Sequence, residues 1–520
     1  MTREGMHMRR LVVACDLGTS GCKSAIYETS GNRLAETYVA YATLHPAPLC
    51  REQAPEDWWR AILESCHAVI EQAAASPAEV LAIGLSGQSL ALVPLDEDGR
   101  LLLESVPIWW DARAQEQAAT FFREFPEDDW YMRTGNGFPA PLYTLFKLLW
   151  LRDHRPDVFG ATRTVVGSKD FINYRLTGRV ATDYSYASGF GAYDLLNRRY
   201  DRELLAVAGV DPALLPEIVP GSEVVGGVLP EIAKELGVAA GTPVVAGGVD
   251  NACMALGARE ISAGRVYCAL GSSNWITVSS ERPVLDIATR PYVFDHVVPH
   301  LYVSAASTFG GGASISWIRE RIFSEPGVRS ISDKELETLA ASAPVGAHEL
   351  VCVPTLAGGT FLEGGPEVRG ALVGLDLRHS RADVARAFLE GVAMALRPAV
   401  DLMRRLADIE DEMLLVGGGS KSAVWRQILA DVFGMPVVRT NVDQQAATLG
   451  AAAVACVGIG AWRDYSAIDE LHKEMDREEP DPAHAEQYRR LYAVFAAATA
   501  QQKELAPALA ELRGTKVEGD

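Results

Sequence analysis

Apolar positions along the chain repeat with a period of two in short runs and of about three and a half in longer ones. The two kinds of run alternate from end to end. VVACDLG (12–18) reads as a strand that drops into Gly18-Thr19-Ser20-Gly21, a second alternating run follows, and Ser30-Gly31-Asn32 leads into a third. This pattern predicts a strand–turn–strand–turn–strand meander over 11–41. PEDWWRAILESCHAVIEQAAA (55–75) predicts a helix, with Pro55 in its first turn and Trp59, Ile62, Cys66, Val69 and Ile70 on one face. LAIGLSGQ (81–88) is the next strand. SRADVARAFLEGVAMALRPAVDLMRRL (380–406) predicts a long helix opened by Ser380, with Asp383 in capping-box position. MLLVGGGSKSAVWRQILADVFGMPVVRT (413–440) reads strand, glycine turn, helix, a stop at Gly434, and strand. LGAAAVACVGIGAW (449–462) is too short to span a membrane and predicts a buried helix. DREEPDPAHAEQ (476–487) reads as a solvated acidic linker, and residues 488–512 as an amphipathic helix that could pack on a domain or on a second subunit, so that a homodimer is one arrangement open to it. Alternating strand and helix signals define an α/β protein.

A repeat divides this pattern in two. VYCALGSSN (266–274) lies over VACDLGTSG (13–21) without a gap: Val13, Cys15, Leu17, Gly18 and Ser20 recur as Val266, Cys268, Leu270, Gly271 and Ser273, and Thr19 keeps its hydroxyl as Ser272. Two related halves are expected, each opening with a hairpin whose turn offers N–H and hydroxyl donors. Where the first has Asp16, the second has Ala269. Two turns can hold one polyphosphate, but a second carboxylate would repel it. A single acid suits a Mg²⁺ site completed by waters and phosphate oxygens. Alternatively, Asp16 simply caps an ordinary hairpin.

Length and charge narrow the reading. At 520 residues and 56.1 kDa the chain exceeds one compact core. A net charge of −20 argues against nucleic-acid binding, which needs a basic face, but leaves a small anionic ligand open. The eight cysteines form neither a CxxC pair nor a His/Cys cluster, which predicts buried thiols in a reducing compartment and no structural zinc. The apolar run after Arg9-Arg10 reaches Asp16 within six residues, too soon for a signal peptide, so a soluble cytoplasmic protein without membrane partners is expected.

Two further stretches carry candidate chemistry. VGGGSKSAVW (416–425) is not a Walker loop, since Lys421 lacks the preceding glycine. Its glycines lead from a strand into a helix start, where a nucleoside or α-phosphate could approach bare backbone; a plain tight turn is the alternative. In TPVVAGGVDNACMALGA (242–257), Asp250 begins a helix of small residues. It could be an N-cap. It could also be a general base taking the proton of a hydroxyl that attacks a γ-phosphate.

Taken in order, these stretches resemble the FGGY carbohydrate kinases, in their xylulokinase-like branch, over roughly residues 10–460. DLGTSGCK (16–23) is similar to the family's first phosphate motif. TLFKLLWLRDHRP (144–156) and GALVGLDLRHSRADVARAFLEG (370–391) resemble its two signature segments, with Leu142 and Phe388 as departures. KDFINYRLTGRVATDYSYAS (169–188) and GGVDNA are also similar, and FGGGASISW (309–317) and 417–437 resemble its nucleotide-binding segments. The resemblance implies two ribonuclease-H-like domains of the actin, hexokinase and Hsp70 superfamily flanking a catalytic cleft that closes on its substrates. They are expected at 10–258, with the sugar site, first phosphate motif and base, and at 259–460, with the nucleotide site. Residues 461–520 are left as linker and C-terminal helix. It implies Asp250 as catalytic base and Asp16 as the acid at Mg²⁺. Gly18, Thr19, Ser20 and Lys23, with Gly271 and Ser272, would hold phosphate; Gly312 and Ser316 would line the nucleotide site; and Gly418 and Gly419 would bind adenosine. The co-substrates implied are ATP and a small sugar.

The sugar is less defined. Relatives that phosphorylate xylulose typically have Met-His after Gln88, and those that phosphorylate glycerol have Arg-Glu; here the pair is Ser89-Leu90. Glycerol is disfavoured and a ketopentose such as xylulose is the leading expectation, with another ketose, a polyol or a sugar acid behind it. Gln88 and Ser89 are candidate sugar contacts, as are Trp110 and Asp111 of WWDARA (109–114), although Asp111 could instead pair with Arg113 or another cation. Gln445 replaces a Glu common in relatives, and a packing effect is expected of it. The rival from another class is an actin- or Hsp70-like ATPase switch without a sugar substrate, against which stand the short C-terminal region and the Asp-Asn pair.

Overall fold

The structure, a computed structural model, describes residues 8–271, 274–324 and 330–514, and the expected phosphate ligand Ser272 lies outside the described residues. The chain forms two compact units. Met1–Ser262, Ser279–Ser304 and Gln445–Leu471 make the first; Ala263–Val278, Ala305–Gln444 and His472–Asp520 make the second.

The first unit opens with the predicted meander: β1 (Leu11–Leu17), β2 (Gly21–Glu28) and β3 (Arg33–Ala40), all antiparallel. β4 (Val80–Gly87) runs parallel to β1. β5 (Val224–Gly227) and β6 (Pro243–Val245) complete the order β5-β6-β4-β1-β2-β3, and the short β7 (Gly248–Val249) pairs with the end of β4. Helix Pro55–Gln72 sets Trp58, Ile62, Cys66 and Val69 into one core with Leu11, Val13 and Cys15 of β1. Burial of that apolar stripe, more than propensity, holds the helix in place.

Helix Ala446–Gly458, the small-residue stretch expected to be buried, belongs to this first unit although it follows the second unit's strands. Its side chains are small enough for backbone-to-backbone packing. A Cβ on Gly84 of β4 would stand 2.3 Å from the Ala451 carbonyl oxygen, and one on Gly450 would stand 1.9 Å from that of Cys253. Helix Asp250–Gly257 is thereby seated firmly against its neighbour.

The second unit repeats the plan. β8 (Val266–Leu270) and β9 (Asn274–Ser280) are antiparallel, β10 (Tyr302–Thr308) follows, and β11 (Met413–Val416) and β12 (Val437–Thr440) run parallel to β8, in the order β10-β9-β8-β11-β12. Helix Arg381–Leu406 carries the predicted Ser380–Asp383 capping box. One expectation is corrected. Residues 476–487 are not a solvated linker, because β13 (Glu474–Glu478) pairs antiparallel with β12 and a helix begins at Pro482. Ion pairs explain how so acidic a run forms a strand: Arg439 Nε lies 2.6 Å from Asp476, and Arg426 Nη2 lies 2.9 Å from Glu478. Charged side chains also suit a sheet edge. Among the described residues no helix is long and apolar enough to cross a membrane.

Candidate active site

In the first unit, chemistry gathers where β1 and β4 end. Asp16 sits opposite Lys23 on β2 and beside Ser86 on β4, whose hydroxyl donates to Asp16 Oδ1 at 2.8 Å. Burial raises the Asp16 pKa, against the Ser86 hydrogen bond and the Lys23 charge. The turn after it is tightened by a Gly18 N–H to Gly21 carbonyl bond of 3.1 Å and by Tyr41, whose hydroxyl donates to the Gly18 carbonyl. Thr19 is held at two points: its carbonyl accepts from Gln53 Nε2 at 2.6 Å, and its hydroxyl accepts from Trp109 Nε1 at 2.8 Å. Ser20 is exposed and Lys23 half-buried.

Asp250 reaches the same place from the other side of β4. β7 pairs Val249 with Gly87, which puts the next residue, Asp250, beside the chain entering Gln88. The helix is capped by Val249 backbone, and the Asp250 carboxylate instead takes the Asn251 N–H at 2.8 Å and Asn251 Nδ2 at 3.0 Å. Its pKa is pushed up to about 7, first by burial and then by the Asp16 charge, against the Asn251 hydrogen bonds. A carboxylate tuned to neutrality beside a second acid is suited to accept a proton. Its place is fixed by a buried chain of contacts: Lys169 bridges Asp170 at 2.5 Å and Asp183 at 2.9 Å, Asp183 accepts from the Ser185 hydroxyl, and the Ser185 oxygen accepts from Val249 N–H at 2.9 Å.

The loops expected to read a sugar lie in this unit too. Gln88 is fully buried, Ser89 buried, and Leu90 takes a left-handed φ of 62°. Trp109 and Trp110 stack with centroids 6.0 Å apart, and Trp110 is 38% exposed with the Arg51 guanidinium 5.0 Å over its ring. Asp111 is buried with both oxygens engaged, by Arg113 Nε at 2.8 Å, Arg113 Nη2 at 2.7 Å and the Arg51 N–H at 2.5 Å. No motif in the sequence points to Lys147. Its ammonium is buried and donates to the Leu90 carbonyl at 2.9 Å and the Ile108 carbonyl at 2.6 Å, clamping both loops. Burial lowers its pKa to about 7, with the Asp111 charge opposing and Arg113 assisting. A lysine inside an all-apolar helical stretch was the available signal. Tyr292 stacks on Phe138 at 4.3 Å, and its pKa is raised first by burial and then by the nearby Asp250 charge. Nothing local in the sequence marks that pair.

In the second unit the other expected residues converge on the end of β8. The Gly271 carbonyl accepts from Gly312 N–H at 2.9 Å. Gly417 has φ 93°, and a Cβ there would lie 2.6 Å from the Leu270 carbonyl oxygen, so only glycine brings this turn against β8. Gly418–Lys421 forms a 3₁₀ turn, and the Ser422 hydroxyl caps the next helix by accepting from Trp425 N–H at 3.2 Å. Ser316 is half-buried on the short helix Gly312–Trp317. The glycine loop before that helix hangs from Glu363, whose buried carboxylate accepts from Phe309 N–H at 2.8 Å and Gly310 N–H at 2.9 Å.

Two α/β units built on one plan, one presenting paired acids and the other backbone turns, define a two-domain phosphotransferase fold. The chain belongs to the FGGY family of carbohydrate kinases: the family's N-terminal domain matches residues 11–257 and its C-terminal domain residues 266–459. It is 28% identical over 511 residues to the xylulose kinase of Bacillus subtilis (strain 168), covering 97% of this chain and 99% of that one. It is 27% identical to the gluconokinase of the same organism, covering 94% and 95%. The crystal structure of xylulose kinase from Rhodospirillum rubrum superposes with a TM-score of 0.87 at 31% identity, covering 96% of this chain and all of that one.

Proposed function

We propose that the protein transfers the γ-phosphoryl group of MgATP to a hydroxyl of a small sugar, a ketopentose such as xylulose. The observation that carries this reading is the pairing of Asp250, a half-buried carboxylate at the end of β7, with Asp16, whose charge adds to burial in raising the Asp250 pKa to about 7. As the sugar oxygen attacks the γ-phosphorus, Asp250 takes the hydroxyl proton, the bond to the bridging oxygen breaks and ADP leaves. In the first unit the Thr19 and Ser20 turn and Lys23 offer donors for phosphoryl oxygens, and in the second unit the glycine turns at Gly271, Gly312, Gly418 and Gly419, with Ser316, are suited to a nucleotide. Asp16 suits Mg²⁺ as a half-buried hard oxygen donor, and, since the described residues gather no group of three or more metal-ligating side chains, waters and phosphate oxygens would have to complete the shell. The ion would neutralise charge on the phosphates. Gln88, Ser89 and Trp110 contact the sugar, while Asp111 holds Arg51 and Arg113 in place around it.

The names of the relatives put xylulose first and a sugar acid second. The test is sugar-dependent ADP release from ATP with xylulose, other ketoses, polyols and gluconate, for the wild type and Asp250→Asn. Turnover on a pentulose, lost by about 10³-fold in the folded variant, is expected. ATPase activity indifferent to every sugar would sink the proposal.

A further inference from the structure

Gln53, outside every motif considered above, is completely buried and has all its hydrogen-bonding capacity in use. Its Nε2 donates to the Thr19 carbonyl at 2.6 Å and to the Thr43 hydroxyl at 2.8 Å, and its Oε1 accepts from Trp58 Nε1 at 2.9 Å and Gln88 Nε2 at 2.8 Å. The direction of this amide follows from its neighbours. An indole N–H can only donate and a backbone carbonyl can only accept, so the oxygen of Gln53 must face Trp58 and its nitrogen Thr19.

That assignment sets the next amide. Gln88 must turn its nitrogen to Gln53 Oε1, which leaves Gln88 Oε1 pointing away. This oxygen is buried and has no hydrogen-bond partner among the described residues. The Gln88 backbone is held as well, its carbonyl accepting from the Ser168 and Tyr186 hydroxyls at 2.8 Å each, and the bond to Gln53 holds the amide end of the side chain. A buried acceptor left unmade is costly and is satisfied when a donor arrives.

We propose that Gln53 is a positioning residue that fixes Gln88 as a hydrogen-bond acceptor for a substrate hydroxyl and ties that acceptor to the phosphate turn at Thr19. Resting on the sugar-kinase reading above, it specifies the polarity of one sugar contact: the hydroxyl facing Gln88 donates. It also names the path by which the sugar loop and the phosphate turn feel one another, through a single side chain.

Two substitutions separate the two ends of Gln53. Gln53→Leu removes both. Gln53→Glu keeps an acceptor for Trp58 and Gln88 but places a carboxylate against the Thr19 carbonyl. Steady-state kinetics with the best sugar, thermal melting, and Gln88→Leu alone and in combination are measured. The expected result is a rise of about tenfold in sugar KM for Gln53→Leu that is strongly non-additive with Gln88→Leu. Gln53→Glu should keep sugar KM within about threefold of wild type and raise ATP KM. Should Gln53→Leu fail to fold, the split between the two KM values in Gln53→Glu decides alone. Equal rises of both KM values in Gln53→Glu, or an unchanged sugar KM in a folded Gln53→Leu, would overturn the role of Gln53 while leaving the kinase reading intact. A wild type that phosphorylates no sugar would overturn both.

Discussion

The turn between β1 and β2 and the turn between β8 and β9 share a plan and differ in what surrounds them. Each follows a strand with an antiparallel partner on one side and a parallel one on the other. In the first, Asp16 faces Lys23 and Ser86 across those two registers; at the matching place in the second, Ala269 faces Trp275 and Val416. The whole neighbourhood has changed, not one residue. The first turn is held by side chains, from Gln53, Trp109 and Tyr41, while in the second unit Gly271 accepts from the Gly312 N–H and Gly417 approaches Leu270 as closely as only glycine allows. Side chains supply charge and protons, and bare backbone supplies N–H donors to anionic or acceptor groups of a ligand. In the proposed function, one arrangement would thus serve reaction in one unit and binding in the other.

The largest break in that comparison is to strip the first turn of its acid. Asp16→Asn is expected to lower kcat by about 10²-fold or more, since a hard anionic donor is lost beside the phosphates. It should also move the pH profile. In the proposed role Asp250 would act as a base only when ionised, so wild-type activity is expected to fall as pH drops below about 7. The Asp16 charge is one cause of that raised pKa, and removing it should carry the acidic limb of the residual activity to lower pH. A limb that stayed in place in Asp16→Asn would show that burial alone sets the Asp250 pKa.

How much of this contrast could be read beforehand depends on the scale of each interaction. The meander, the repeat and the missing acid at Ala269 are local patterns, and so was the capping box at Ser380. Asp250 could be read only as one of two things, because N-cap and general base need the same residue at the same place. The structure shows Val249 at the cap and the carboxylate turned to Asn251. β13 escaped notice because its partners Arg426 and Arg439 lie tens of residues away and an acidic run looks solvated without them. Gln53, Ser86 and Lys147 were invisible for the same reason: each acts through contacts between distant segments, and none breaks its local pattern except Lys147.

The converse of the first substitution gives the second turn an acid. Ala269 is buried between Trp275 and Val416, with neither a lysine nor a serine at the registers that serve Asp16. Ala269→Asp is expected to raise ATP KM by about tenfold, through repulsion of the phosphates, with sugar KM nearly unchanged. The melting temperature should fall too, because a carboxyl enters an apolar place. Ala269→Asn carries the same bulk without the charge, and it should reproduce the loss of stability but little of the change in KM. Equal effects of both variants on ATP KM would mean that shape, not charge, keeps the second turn free of an acid.

The smallest expected effect sharpens the contrast between side-chain and backbone support. Trp109 donates one hydrogen bond to the Thr19 hydroxyl, and its ring stacks on Trp110. Trp109→Phe keeps most of the stacking surface and deletes the N–H. The Thr19 oxygen then loses a donor, but the Gln53 bond to the Thr19 carbonyl and the Tyr41 bond to Gly18 remain. A single neutral hydrogen bond at a half-buried site contributes about 1 kcal/mol, so a rise of about fivefold in ATP KM is expected, with kcat and sugar KM close to wild type. If sugar KM rose instead, Trp109 would serve the sugar wall and not the turn, and support of the first turn would fall to Gln53 and Tyr41. If neither moved, the hydroxyl of Thr19 would be held well enough by its own backbone, as the glycine turns of the second unit are.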